Sequence, residues 1–370
     1  MDLTGISFGI FGSGDRFYPA FCQAVDLLAD KVKERGGDVF SSLLKIEFSP
    51  DSEEEVLECE QFEVGVYEWV KERIQVMHAN GATAVISTSP KEFLVSIKRK
   101  GIFSFKNNKW KLVIPLHDSI YQLKRIGEYI MGVGERGRYI QLHLKSGRWR
   151  TSFFPTRQRL WDIIGNESGL VITHAGTQLL VSYDFGQKWS IISLFKELSV
   201  RPIIRSLNLN DEEIYVGTLI HKQNGGLWKY SLYSNRLESL RYEKDKMVSS
   251  IYVDNSFLWM TTGACQTKKG TIAFQNHGEN EWHSFSSQIE ERAFLSMVHS
   301  DDKIYVCSSK DEYGYSRIYY CDLLQMKLVL VETIKGHCFC GAVSDGDLFW
   351  AGGEESKWIK QSLKEKQILH

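Results

Sequence analysis

The sequence predicts a mainly β chain, with a small partial α/β module at residues 1–78 and a seven-bladed β-propeller at residues 82–370. Two observations favour this fold class. A helix-like pattern stops near Asn80, and short β runs separated by turn residues fill the rest of the chain. In that second part, apolar strand cores recur at intervals of 36, 41, 44, 44, 46 and 45 residues. Units of about 40 residues built from short strands are typical of propeller blades.

The recurring cores justify the predicted blades one by one. They begin at Phe93, Tyr129, Leu170, Ile214, Leu258, Ile304 and Phe349. A second marker follows in phase, because a polar turn and then an apolar residue open the last strand of most units. These apolar residues are Trp110, Trp149, Trp189, Leu237, Trp282 and Leu328. We therefore read each of the seven units as four short strands.

The first module begins with the apolar run Ile6 to Phe11, which leads into Gly12, Ser13, Gly14 and Asp15. A helix-like pattern follows from about residue 21 to 35, and it ends at two glycines, as helices often do. Val25, Leu28 and Val32 share one predicted stripe of this helix. A buried strand, a tight turn and a helix in this order form the corner where open parallel sheets bind ligands.

The corner resembles the flavin-contacting loop of flavodoxins and of the FMN domains of diflavin reductases. The family pattern Gly-x-Gly-Asp-x-x-Tyr-x-x-Phe is matched by Gly12, Gly14, Asp15, Tyr18 and Phe21. The downstream order is also similar, with a strand at residues 40–48, an acidic loop, and a helix at residues 62–74. The resemblance covers the C-terminal half of a flavodoxin-like domain.

This resemblance implies a cofactor, FMN, and an electron-transfer role. It implies that backbone N–H groups of residues 12–15 reach the pyrimidine edge of the isoalloxazine, and that Tyr18 stacks on the ring. The cofactor-binding residues implied in this way are Gly12, Ser13, Gly14, Asp15, Tyr18 and Phe21. No catalytic residue and no metal ligand is predicted, so the chain is at most an electron-transfer component.

One part of the family site is absent from the sequence. Flavodoxins hold the FMN phosphate with a Ser/Thr-rich loop at a helix N-terminus, and none of the 370 residues forms such a loop. The strand at Ile6 to Phe11 would also lack its usual neighbour, and unpaired edges are seldom left open. We expect another chain, a second copy, or an upstream part of a longer gene product to complete the sheet.

Charge divides the sequence in two. Residues 1–80 carry 16 acidic and 7 basic residues, a net charge of −9, and residues 81–370 carry 30 and 38, a net charge of +8. The run from Asp51 to Glu63 alone holds seven carboxylates. It is either a solvated loop that opens a helix, where acidic residues suit the dipole, or a docking segment for a basic protein partner.

A further motif favours the propeller. The segment from Ser182 to Trp189 fits Ser-x-Asp-x-Gly-x-x-Trp, with Asp184 and Gly186 at the remaining positions. This pattern resembles the Asp-box, a hairpin turn of sialidase-like propellers. It predicts architecture and not activity, because Arg205 and Arg317 belong to no recognisable sialidase motif.

Composition excludes several classes of protein. Seven cysteines without regular spacing do not form a disulfide framework, and no leader pattern opens the chain, which favours a cytoplasmic protein. No apolar run approaches the roughly 18 residues of a membrane helix. The positive charge after residue 80 is spread along the chain, which argues against nucleic-acid binding.

His337, Cys338 and Cys340 form a short cluster that can be interpreted in two ways. They are either metal ligands or buried residues of the first strand of the last blade. We favour the second, because no other ligand pair with zinc spacing occurs in the sequence.

Two functions therefore stay open. In one, an incomplete FMN-binding module is joined to a propeller that serves as a protein-interaction platform. In the other, the chain is a non-redox scaffold whose flavodoxin remnant binds no cofactor.

Overall fold

A computed structural model of the chain describes residues 3, 7–14, 20, 22–39, 44–47, 81–107, 109–264, 269–300, 303–353 and 356–359. The chain divides into two compact units, Met1–Val76 and Met77–His370. Within the described ranges, no helix is both long and apolar enough to span a membrane.

In the described part of the first unit there are short parallel strand pairs and one helix. Its elements are β1 (Ser7–Phe8), β2 (Phe11–Gly14), α1 (Gln23–Glu34), β3 (Asp38–Val39) and β4 (Leu44–Glu47). Strand β1 pairs with β3 and β2 pairs with β4, both in parallel. Parallel neighbours need a crossover connection, and α1 supplies it between β2 and β3. The predicted second helix at residues 62–74 lies outside the described residues.

Helix α1 buries one face against the strands. Val25, Ala29 and Val32 are buried and pack with Ile10 in the core of this unit. The prediction that Leu28 shares this face is wrong, because 54% of Leu28 is exposed. Ala29 takes the inward position, since it lies four residues after Val25 and three before Val32.

The second unit is a β-propeller of antiparallel sheets, each formed by consecutive strands. The first three sheets are β5 (Ala82–Ser89), β6 (Glu92–Ile97), β7 (Gly101–Lys106) and β8 (Lys109–Ile114); β9 (Ile120–Ile126), β10 (Tyr129–Gly134), β11 (Arg138–His143) and β12 (Trp149–Phe153); and β13 (Ile163–Gly165), β14 (Val171–Ala175), β15 (Gln178–Ser182) and β16 (Ser190–Ile192). A short 3-10 helix, Glu135–Gly137, joins β10 to β11.

The remaining sheets follow the same order. They are β17 (Ile204–Asn210), β18 (Glu213–Thr218), β19 (Gly226–Ser231) and β20 (Leu237–Tyr242); β21 (Lys246–Val253), β22 (Phe257–Ala264), β23 (Ile272–Asn276) and β24 (His283–Ser284); β25 (Phe294–Ser300), β26 (Lys303–Ser308), β27 (Tyr315–Asp322) and β28 (Lys327–Lys335); and β29 (Cys338–Ser344), β30 (Asp347–Gly352) and β31 (Ser356–Ile359).

The number of complete blades corrects the sequence prediction. The described residues form six four-stranded blades, and the last sheet, β29–β30–β31, has three strands. The prediction of seven four-stranded blades is therefore too high by one complete blade. The reason for the error is that the repeat comes from one apolar strand that every unit has. Such a repeat does not show whether a unit also has a fourth strand.

The last sheet lies beside the first blade. The backbone N–H of Lys91 donates to Ser344 Oγ at 2.8 Å, and that hydroxyl donates to the Ser89 carbonyl at 3.2 Å. The backbone N–H of Gly81 donates to the carbonyl of Gly353 at 2.7 Å. These bonds connect the two ends of the second unit and close the ring.

The first strand of each sheet faces the centre of the ring. A cavity of about 450 Å³ is lined by residues of β5, β9, β17, β21, β25 and β29 and by residues that immediately precede β13. The register shifts by one residue near the start of six of these strands, all except β13. Such bulges redirect side chains, and one of them determines the site described below.

Candidate functional site

The predicted flavin loop starts at the carboxyl end of β2. Gly12, Ser13 and Gly14 belong to this strand and pair with residues 45–47 of β4. Asp15, Tyr18 and Phe21 lie outside the described residues, as does the acidic segment Asp51 to Glu63. The structure thus places three of the six predicted cofactor-binding residues at a parallel strand end, where α/β sheets bind ligands.

Gly12 brings α1 close to β2. A Cβ atom on Gly12 would lie 2.4 Å from Val25 Cγ2, closer than two carbon atoms can approach. The helix therefore packs directly on the glycine backbone, and this packing requires glycine whether or not a cofactor binds. The sequence motif has a structural reason in addition to the functional one that the resemblance implies.

Two contacts hold the ends of the loop. The Cys22 thiol donates to the carbonyl of Gly12 at 3.3 Å, so the residue before α1 is bound to the strand before the loop. Lys45, the strand partner of Gly12, forms an ion pair with Asp26 of α1 at 2.6 Å. Together they fix the end of β2 relative to the start of α1.

In the propeller, the turn between β15 and β16 is organised by two side chains. Ser182 Oγ accepts the N–H of Gly186 at 2.9 Å and donates to Asp184 Oδ1 at 2.7 Å. The same carboxylate oxygen accepts the N–H groups of Gln187 and Lys188, each at 2.9 Å. These bonds lower the pKa of Asp184, with the Lys188 N–H contributing most. These hydrogen bonds to Asp184 Oδ1 and Ser182 Oγ lie within the turn, and they explain the two side chains by structure.

The arginine in the channel is the residue for which sequence reasoning found no role. Arg205 is the bulged residue near the start of β17, between the paired residues Ile204 and Ser206, and its side chain lines the central cavity. Its guanidinium carbon lies 4.7 Å from the centre of the Trp161 ring. Trp161 also stacks on Tyr121, with ring centroids 4.8 Å apart. Burial lowers the pKa of Arg205, and the nearby Asp162 carboxylate opposes this.

The carboxylate of Asp162 is already occupied. Its two oxygens accept hydrogen bonds from Gln122 Nε2 at 3.0 Å, from its neighbour Ile163 N–H at 2.9 Å and from Leu207 N–H at 2.9 Å. Burial raises the pKa of this acid, and Lys124 is the main opposing influence. Asp162 thus links three first strands of the ring, and Arg205 donates no hydrogen bond to it.

The cysteine cluster lies in the core. Cys338 and Cys340 are buried in β29, and their thiols point to backbone carbonyls, with Cys340 Sγ 3.6 Å from the Ala351 oxygen. Burial raises the pKa of both thiols. His337 Nδ1 accepts the N–H of Lys310 at 3.3 Å. The described part of the chain holds no group of metal-ligating side chains.

Comparison with known proteins separates the two units. The Flavodoxin family profile matches residues 1–62. "Probable flavodoxin 1" of Bacillus subtilis (strain 168) is 40% identical over 80 residues, which are 20% of this chain and 51% of that protein. The chain therefore spans about half the length of this flavodoxin.

The propeller has relatives of its own. The RRP9 WD40 repeats share its fold, with a TM-score of 0.56 at 12% identity over 75% of this chain and 89% of that one. The Bacillus subtilis (strain 168) protein described as "Uncharacterized protein YkuO" is 34% identical over 298 residues, which are 80% of this chain and 100% of the relative. Because that match includes the whole of the relative, the chain belongs to the family of YkuO, and it carries a flavodoxin-like segment at its N-terminus.

Proposed function

We propose that residues 1–78 are the C-terminal part of an FMN-binding electron-transfer module, and that the propeller recruits the protein partners of that module. The observation that carries this proposal is the flavodoxin match over residues 1–62. The parallel pairing of β2 with β4 and the crossover helix α1 support it.

The cofactor site is proposed on the residues that match the family motif. Backbone N–H groups of Gly12, Ser13, Gly14 and Asp15 would bind the pyrimidine edge of the isoalloxazine. Tyr18 would stack on the ring, with Phe21 beside it. The described strand end is compatible with this role, because Gly12, Ser13 and Gly14 lie at the carboxyl end of a parallel strand beside α1. Bound FMN would supply the electron-accepting chemistry.

We propose that the phosphate site lies in the half of the flavodoxin-like domain that this sequence does not match, supplied by another chain, by a second copy or by an upstream part of a longer gene product. The sequence has no Ser/Thr-rich phosphate loop, and the relative named above is about twice as long as the segment that matches it. Leu27 and Leu28 expose 60% and 54% of their surface. Neighbouring exposed apolar side chains on a helix are compatible with such a partner.

Two finer features of the propeller belong to the same proposal. We interpret the three-stranded sheet β29–β30–β31 as a seventh blade, since it bonds to the first blade and closes the ring. We interpret the Ser182–Trp189 turn as an Asp-box, because Ser182 and Asp184 organise it and Trp189 Nε1 donates to the Gly186 carbonyl at 3.1 Å.

Propellers serve as interaction platforms by presenting the loops of many blades on one surface. The similarity to WD40 repeats supports this role for the present propeller. The carboxylates of Asp51 to Glu63 would add a second docking segment, suited to a basic surface on a redox partner.

An FMN titration tests the redox proposal. The chain is titrated with FMN alone, and again with the N-terminal half of "Probable flavodoxin 1" added, while flavin fluorescence and the visible spectrum are recorded. We expect quenching and a structured flavin spectrum in the second titration. The added half without the chain is the control, because any quenching it produces by itself must be subtracted.

The second candidate function is a non-redox scaffold. It is favoured by the size of the YkuO match, 298 residues, against the 62 residues matched by the flavodoxin profile. Unchanged FMN fluorescence in both titrations would reject the redox proposal and leave the scaffold function.

A further inference from the structure

Arg205 is a cation in the central channel that has no anionic or carbonyl acceptor among the described residues. A guanidinium carries five N–H donors, and none of them donates a hydrogen bond there. Its side chain is partly buried, so water replaces the missing acceptors only in part. No nitrogen of Arg205 is among the fully buried unpaired polar atoms of the described residues, so its donors are accessible to an acceptor that enters the channel.

Trp161 fixes the orientation of this cation. The guanidinium lies 4.7 Å from the centre of the indole ring, a distance typical of cation–π contacts. Tyr121 stacks on the same indole and donates its hydroxyl to Glu135 Oε1 at 3.0 Å. A stacked guanidinium keeps its N–H edge free, and this edge can bind both oxygens of a carboxylate or phosphate.

More unpaired positive charge surrounds the same aromatic pair. Arg159 lies 5.7 Å from the centre of the Trp161 ring. Together with Arg99 and Arg157, it lines an adjoining cavity of about 490 Å³. These three side chains form no ion pair within the described residues. Burial and then Glu135 raise the pKa of Tyr121. The field of Arg159 and Arg99 reaches this tyrosine and lowers its pKa in opposition.

The carboxylates close to this cavity are occupied by other groups. Asp118 binds Arg136 and Arg138, and its second oxygen lies 2.8 Å from Arg138 Nε. Glu135 accepts the Tyr121 hydroxyl and the backbone N–H of Ser119. Four arginines and two carboxylates line this cavity, so cations exceed anions there.

Arg317 is an arginine of this propeller whose position is explained by ion pairs with acidic side chains. It donates to Glu291 Oε1 at 3.1 Å and also binds Asp311. Both acidic partners are largely buried with it. Arg205 is also partly buried, but it has no such partner among the described residues, so a structural ion pair does not explain its position.

We propose that the part of the central channel around Arg205 is a binding site for a small oxyanion. The oxyanion is a carboxylate or phosphate group, and the molecule that carries it is small enough for a cavity of about 450 Å³. Arg205 binds two oxygens of the anion, and Arg159 adds a second positive charge. The Trp161 ring forms one wall of the site.

Calorimetric titration of the full chain with inorganic phosphate, and separately with citrate, tests this proposal and distinguishes the two oxyanion chemistries. Ionic strength is held constant, because surface cations bind anions weakly and in a salt-dependent way. We expect at least one anion to bind, and Arg205→Gln to weaken it by about 10- to 100-fold, the range for losing hydrogen bonds to a charged group.

Arg236→Gln is the matched control. Arg236 is exposed in the β19–β20 turn of the same blade, at the opposite end of the strands from the start of β17. The substitution Arg236→Gln removes the same charge as Arg205→Gln and should leave anion binding unchanged. Arg205→Lys keeps the positive charge but cannot donate to two oxygens of the anion at once. This variant replaces Arg205→Gln in the test if the glutamine variant does not fold.

Three results would overturn the proposal. One is that neither anion binds the native chain at millimolar concentration. Another is that Arg205→Gln or Arg205→Lys binds as tightly as the native chain. The third is an equal loss in Arg236→Gln, which would show general electrostatic attraction and no site.

Discussion

The ring of Phe349 stacks on the ring of Phe93, with centroids 4.7 Å apart and planes inclined by 24°. Phe349 lies in β30 of the last sheet and Phe93 in β6 of the first blade, so residues 256 positions apart in sequence meet face to face. Phe105 of β7 extends the stack, with its centroid 5.3 Å from that of Phe349. This aromatic cluster joins the two ends of the propeller.

Removing the ring of Phe349 should weaken the contact between the last sheet and the first blade. Phe349 is 2% exposed and Phe93 is fully buried, so Phe349→Ala would leave a cavity and cost about 3–5 kcal/mol. Urea unfolding followed by tryptophan fluorescence measures the loss. Leu324→Ala, at a side chain 98% exposed, is the control and should change little. A similar stability for both variants would contradict the closing role of the stack.

Gly12 gives a prediction for the first unit. In Gly12→Ala the new methyl group would overlap Val25 Cγ2, and overpacking of this kind costs about 1–3 kcal/mol. Hydrogen–deuterium exchange of helix α1 should then become faster. In the background of Val25→Ala the same change should have a much smaller effect, because the overlapping methyl is gone. Equal effects in both backgrounds would show that Gly12 has another role.

Tyr18 tests the proposed cofactor site. If the completed module binds FMN, Tyr18→Ala should weaken binding by about 1–3 kcal/mol, the range for an aromatic contact with a nitrogenous ring. Tyr18→Phe keeps the ring and should bind nearly as well. Fluorescence quenching of FMN measures both. Equal affinity for the native chain and the alanine variant would mean that another residue stacks on the flavin.

The sequence predicted the propeller through its most buried strands. The seven recurring cores fall within or directly before the second strand of each sheet, as with Ile214 in β18 and Leu258 in β22. Both faces of these strands are covered by neighbouring blades, so they are almost wholly apolar. Outer strands such as β16 and β28 are less buried and leave apolar side chains such as Ile191 and Leu330 exposed, so they lack this uniform signal. The period therefore predicts recurring units but not the number of strands in each of them.

The site at Arg205 could not be predicted from the sequence for a different reason. Alternation along a strand assigns a side chain to one face or the other, and a single extra residue reverses the assignment. The bulge between Ile204 and Ser206 does this to Arg205. The pairing of Trp161 with Tyr121 joins two blades, and no local pattern indicates such contacts. The proposed flavin loop, in contrast, is contiguous in sequence, so a local motif is enough to propose it.

His174 makes the stability of the propeller depend on pH. It is fully buried, its Nε2 accepts the backbone N–H of Trp161 at 3.0 Å, and burial lowers its pKa from 6.5 to about 3. Between these values the unfolded chain holds a proton that the folded chain excludes. The contribution of neutral His174 to the free energy of unfolding is complete above pH 6.5. It falls by up to about 1.4 kcal/mol per pH unit as the pH drops toward 3. His174→Gln should therefore show a shallower decline in melting temperature between pH 6.5 and 4 than the native chain. His117→Gln, at an exposed position, should keep the native slope, and identical slopes for all three proteins would refute the assignment.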